Sequence, residues 1–191
     1  MQQIAPRPVR WTREQYLQMS EMGFFHRCRV ELIGGEIIEM AAQYDLHLAA
    51  ITLTADALRN SFGAGYWVRV QGSLDLSPHG IPDPDVAVTL GSPQESTRTI
   101  ATSALLVVEV SDSTLAYDRN AMASLYAVAG VTDYWIVNLV QRQLEVHRNP
   151  VADPSKLFGF GYSNRIILDP GDTMAPLAAP KAPVAVAVLL P

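Results

Sequence analysis

Lysine is nearly missing from this 191-residue chain: of its 14 basic residues only Lys156 and Lys181 are lysines, and the others are arginines. A catalytic amine that gives up and regains a proton therefore has two positions open to it, because a guanidinium stays charged and cannot act as a base. Cysteine is scarcer still. Cys28 stands alone, which excludes an intrachain disulfide and fits a reducing compartment. His26, His79 and His147 show no metal-like spacing to one another or to Cys28, so no structural zinc site is expected. An excess of positive charge is also lacking. The formal net charge of −5 excludes a surface built for indiscriminate phosphate binding, since such surfaces gain affinity by releasing counterions through many cationic contacts. Any nucleic-acid contact has to be local. Finally, there is no apolar run long enough to cross a bilayer and no basic N-terminal segment leading into one, which predicts an unexported, cytoplasmic protein without a membrane partner.

What is present is enough apolar sequence for one well-buried core: 49% of residues are hydrophobic and 17% charged, which predicts a single domain over residues 1–191. Thr12 and Gln15 are spaced as a capping box for a helix over residues 12–22, with Gly23 as its stop. VELIGGEIIEM reads as a hairpin around Gly34-Gly35. From Asp45 to about Asn60, Leu46, Ala49, Ala50, Leu53, Ala57 and Leu58 recur at helical spacing. YWVRV, GSLDL, VAVTL and LLVVEV are short, rich in β-branched or aromatic residues, and divided by Gly, Pro and Ser, as strands of a central sheet are. Residues 117–128 return to helical spacing and stop at Gly130; YWIVN and QLEVHR follow as a second hairpin. The proline-rich stretch after Asp169 carries almost no charge and reads as an ordered, irregular cover. The fold class expected is α+β (α/β), a mixed β-sheet flanked by helices with additional β-hairpins.

Three acidic residues sit beside these strands: Glu31 in the first hairpin, Asp85 leading into VAV, and Glu109 within LLVVEV. Glu109 interrupts an apolar strand, and an ionised carboxylate in such a strand is costly unless a cation or hydrogen-bond donor receives it. A hard divalent ion wanting a few carboxylate oxygens is one such partner, and Asp85 on a neighbouring strand would share it. The alternative for Glu109 is a strand end emerging into solvent or meeting an arginine. For Asp85 it is a turn-capping role in PDPD, and for Glu31 an exposed strand position.

Taken together, VELIGGEIIEM, His47 early in the next helix, Gln71 after a strand, PDPDVAV, VVEVSDST, YDRNAMASLYAVAGVTDYWIVN and the closing PG…PLAAP…LLP resemble the Uma-two family of restriction-endonuclease-like proteins, a branch of the PD-(D/E)XK nuclease superfamily. The resemblance spans nearly the whole chain. It implies a restriction-endonuclease-like fold and a Mg²⁺- or Mn²⁺-dependent endonuclease hydrolysing phosphodiester bonds of DNA. Glu31, Asp85 and Glu109 match the metal-binding acidic positions, Gln71 lines the site, and Asp118 matches an aspartate on the next helix. The relatives carry a lysine four residues after that aspartate; here the position is Met122, which offers neither charge nor proton. Arg119 is adjacent and would contact phosphate without acting as a base. His47 reads by itself as a packed or capping helix residue. Loss of the lysine leaves a second reading, a catalytically silent binding protein on the same fold. A third is a partner protein, expected as a homodimer joined through the apolar C-terminal cover.

Overall fold

The computed structural model describes residues 7–95 and 99–191. Its first helix, α1 (Arg13–Glu21), starts as the sequence dictates: the Gln15 amide donates to the Thr12 hydroxyl and the Gln15 side chain accepts from the Thr12 amide. β1 (Val30–Ile33) and β2 (Glu36–Glu39) form the expected hairpin. Its turn requires left-handed backbone at both central residues, which Gly34 and Gly35 supply at φ 59° and 80°. The other edge of β1 takes a two-residue strand, β4 (Gly80–Ile81). Here Gly80 is a packing requirement, because a Cβ at that position would lie 2.5 Å from the Leu32 carbonyl oxygen.

The main sheet has six strands in the order β3 (Tyr66–Val70), β5 (Val86–Leu90), β6 (Leu106–Ser111), β7 (Asp133–Asn138), β8 (Gln143–Ala152) and β9 (Phe160–Leu168). All neighbours are antiparallel except β6 and β7. A parallel pair needs a crossover, and the helical run between these two strands provides it. That run is not uniform. A short α3 (Leu115–Tyr117) leads into a π-helical turn (Asp118–Met122), which passes into α4 (Ala123–Val128).

Alternation along the strands sends side chains to two cores. Val86, Val88, Val108, Val110, Trp135 and Val137 pack on one face beneath α2 (Asp45–Phe62) and the C-terminal cover. Ala87, Val107, Tyr134 and Ile136 pack on the other face beneath α4, with Leu125 and Tyr126. The cover is ordered, as its lack of charge predicts: a short pair of strands, β10 (Thr173–Met174) and β11 (Val184–Ala185), precedes a 3₁₀ turn. Val184, Val186 and Leu189 are buried inside the chain, while Leu177 and Val188 remain exposed. Among the described residues no helix is long and apolar enough to cross a membrane.

Three expectations are corrected. GSLDL is no strand: only Leu74 makes an isolated bridge, to Ala101, and the Asp75 carboxylate turns to cap Ser77 instead. β9 was not foreseen, because FGYSNRIIL carries Gly, Ser and Asn and lies on a half-exposed edge. In α2 the inward stripe is His47, Ala50, Ile51, Thr54, Ala55, Leu58 and Phe62, whereas Leu46, Leu48 and Leu53 face solvent. The leucines suggested a face rotated from the real one, since alanines and threonine fit closer to the sheet.

Candidate active site

A cavity of about 60 Å³ opens at one end of β5 and β6, large enough for an ion and a few waters. Among the described residues six acids line it, Glu31, Asp83, Asp85, Glu109, Asp112 and Asp118, together with His47, Met122 and a single arginine, Arg29. Glu31, Asp85, Glu109 and Asp118, which lie far apart in sequence, therefore meet in one cleft.

Each carboxylate is held by protein donors. Asp85 accepts from the Val110 amide at 2.9 Å and the Gln43 amide group at 3.2 Å, with His47 Nε2 3.3 Å away. Glu109 accepts from the Tyr126 hydroxyl at 2.6 Å and the Asp85 amide at 3.1 Å. Asp118 accepts from the hydroxyls of Ser111 and Thr114 at 2.6 and 2.7 Å. Glu31, buried in β1, draws on the Asp83 backbone amide and has the Arg29 guanidinium 3.9 Å away.

So many acids in so little water cannot all ionise easily. Burial, then the negative charges of Asp85, Asp118 and Glu31, push the Glu109 carboxyl well above the ordinary range. Burial and Asp83 raise Glu31 to about 7 despite Arg29. Burial also raises Asp118 to about 6, against the help of its two hydroxyl donors. His47 is pulled the opposite way by burial, but hydrogen bonding and charge from Asp85 win and raise its pKa.

Such a set fits a hard divalent cation chemically: clustered carboxylate oxygens, each with lone pairs beyond those already used, whose mutual repulsion a cation would relieve. Among the described residues no three His, Cys, Asp or Glu side chains converge to hold a metal ion.

The other sequence-selected residues fall differently. Gln71 is exposed and does not line the cleft; its amide donates to Gln43 at 2.6 Å, and Gln43 in turn reaches Asp85. Met122 does line the cleft, 3% exposed. Arg119, one residue after Asp118, points away and packs on Glu145 of β8, with Nε 3.1 Å from both carboxylate oxygens.

Four contributors were not picked out from sequence. Arg29 had a signal, because residues two apart on a strand share a face and it precedes Glu31 by two. Asp83 stood in the PDPD motif beside Asp85. Gln43 and Tyr126 carried no signal, being one glutamine before a helix and one aromatic in an apolar helix.

A family model, Uma2, described as "Putative restriction endonuclease", matches residues 13–186. Among solved structures, a putative nuclease belonging to DUF820 from Anabaena variabilis is similar to this chain with a TM-score of 0.67 and 13% identity. The similarity covers 95% of this chain and 97% of that one, a likeness of fold. No curated protein matches.

Proposed function

The chain belongs to the Uma2 family, and on that premise we propose that it is a Mg²⁺- or Mn²⁺-dependent endonuclease that hydrolyses phosphodiester bonds of DNA in the acidic cleft. The observation that carries this is the meeting of Glu31, Asp85, Glu109 and Asp118 around one small cavity, with Glu109 rising from an otherwise apolar core strand.

Asp85 and Glu109 would hold the ion, with Glu31 beside them. A bound divalent ion supplies a water that is nucleophilic at neutral pH and neutralises charge on the phosphate. The chain's own residues do the rest. Tyr126 and the Asp85 amide fix the Glu109 carboxylate, while Val110, Gln43 and His47 fix that of Asp85. These contacts hold the oxygens that must stay in place when a substrate's negative charge enters. Gln71 acts one step further out, steadying Gln43. Asp118, with its raised pKa, is suited to pass a proton near neutral pH.

Met122 leaves the cleft without the amine that relatives carry. Arg29 is the cation that lines it, anchored by its Nη2 on the Asp83 carbonyl at 3.0 Å. Its guanidinium stabilises charge on a phosphate but takes no proton. Arg29 thus supplies the electrostatic half of a lysine's work, and the proton-transfer half rests on Asp118, His47 or water. Met122 also favours a second reading, a nuclease-fold protein that binds without cutting.

The test is cleavage of plasmid and single-stranded DNA with Mg²⁺, Mn²⁺ or EDTA, beside Asp85→Ala and Met122→Lys. Metal-dependent cutting lost in Asp85→Ala supports the nuclease reading, and cutting that persists in that variant refutes it. Silence in the wild type with activity gained in Met122→Lys establishes the second reading.

A further inference from the structure

Glu145 on β8 stands opposite Ile136 on β7, and Ile136 stands opposite Glu109 on β6. The two acids therefore lie in one row across the same face of the sheet, two strand spacings or about 10 Å apart. The helical run over residues 115–128 serves both: Tyr126 reaches Glu109, and Arg119 reaches Glu145. On the Glu109 side is the acidic cleft. On the Glu145 side is a larger cavity, about 290 Å³, of opposite character. Among the described residues its charged lining consists of Arg119, Lys156 and Arg165, with the His147 ring, and no acidic side chain lines it.

Glu145 lies beneath this cavity, fully buried, and orients its arginines. Arg119 places Nε 3.1 Å from both carboxylate oxygens, and Arg165 places Nε and Nη2 at 3.1 and 2.7 Å from Oε2. Asn138 donates to Oε1 at 2.9 Å. Neither arginine's Nη1 has a hydrogen-bond partner among the described residues. His147 is 6% exposed, and its buried Nε2 also lacks one, since Glu145 Oε2 at 3.7 Å is too distant. Lys156 is exposed on the cavity wall, with Asp153 the acid near it. Three fixed positive charges thus gather over one buried carboxylate in a chain whose net charge is −5. An ion-paired network that needed only to satisfy Glu145 would not require a third cation or leave donors free beside a cavity.

We propose that this cavity is a phosphate subsite that grips the nucleic-acid backbone a few nucleotides from the phosphate in the acidic cleft. The inference rests on the nuclease reading for its choice of ligand. Each strand of a duplex rises about 3.4 Å per nucleotide along the helix axis and winds round it besides, so about 10 Å spans at most roughly three steps of the backbone. The subsite would hold the strand against the repulsion that six acids impose on any polyanion nearby. It also confines backbone contact to one patch, as a protein of negative net charge requires.

Free inorganic phosphate carries the same chemistry, so the test separates the two. Binding of a labelled duplex is followed by fluorescence anisotropy in EDTA over a salt series, for wild type, Lys156→Ala and Lys156→Arg, beside calorimetric titration with inorganic phosphate. Lys156 is exposed, so its removal leaves the core intact. The expected result is weaker duplex binding in Lys156→Ala, a slope of log K against log salt shallower by about 1, and recovery in Lys156→Arg. An unchanged slope overturns the proposal, as does a wild type that fails to bind duplex. Inorganic phosphate binding without duplex binding also overturns it, by making the cavity a free-anion site. Cleavage is scored separately. A cutting enzyme with an unchanged slope refutes the subsite alone, and a silent protein whose slope depends on Lys156 refutes the nuclease reading alone.

Discussion

Replacing Glu145 by glutamine keeps the side chain's shape and removes the charge on which two guanidiniums are built. Glu145 is fully buried, while the side chains of Arg119 and Arg165 are 30% and 41% exposed. Removing one member of a buried ion pair costs about 3–5 kcal/mol. Partly exposed arginines can relax toward water, which brings the expectation down to roughly 2–3 kcal/mol. For a chain of this size that is a fall in melting temperature of roughly 5–10 °C, read by circular dichroism. Acid supplies a second check. Burial opposes ionisation of Glu145, but the nearby His147 ring and the donors of Arg119, Asn138 and Arg165 outweigh it and hold the carboxyl well below the ordinary range. A depressed folded-state pKa contributes stability that is present above the unfolded value, about 4.3, and is lost as pH falls toward the folded one. The gap between wild type and Glu145→Gln should therefore be full at pH 7 and shrink below about pH 4. A variant within 0.5 kcal/mol of wild type at pH 7 would refute the reasoning, and so would a gap that stays constant down to pH 3.

Two further outcomes follow from packing. Leu58→Ala empties a fully buried position where α2 meets the sheet, and urea denaturation should show a loss of about 2–5 kcal/mol with little change in slope. Gly80→Ala forces a Cβ against the Leu32 carbonyl. It should part β4 from β1, raising hydrogen exchange at the Gly34 amide, which donates to the His79 carbonyl at 2.8 Å; unchanged protection there would show that the strands accommodate the methyl.

Much of the architecture was legible because it is written locally. The Thr12–Gln15 box, the Gly34-Gly35 turn and the VAV and VVEV strands each carry their own signal within a few residues. So does the oddity of Glu109, an acid in an apolar strand. The same argument applied to QLEVHR would have singled out Glu145, equally out of place among apolar neighbours. What stayed hidden depends on partners distant in sequence. The inward face of α2 is set by how closely alanine lets a helix approach the sheet, and the leucines misreport it. Edge strand β9 is held by pairing with β8 and needs little hydrophobic pattern of its own. The direction of Arg119 could not be read from its adjacency to Asp118, because neighbouring residues on a helix point to different sides.

The π-helical turn at Asp118–Met122 bears on how this chain is compared with others. A wide turn carries one residue more than an α-helix would need to cover the same ground, as if inserted without moving the ends. Deleting a single residue there would let the turn close into regular α-helix and leave the helix faces on either side where they are. Counting four positions onward from an aspartate is a ruler for regular helix. Across this turn the ruler stretches, so an alignment gap moved by one place changes which side chain is taken as the lysine's counterpart.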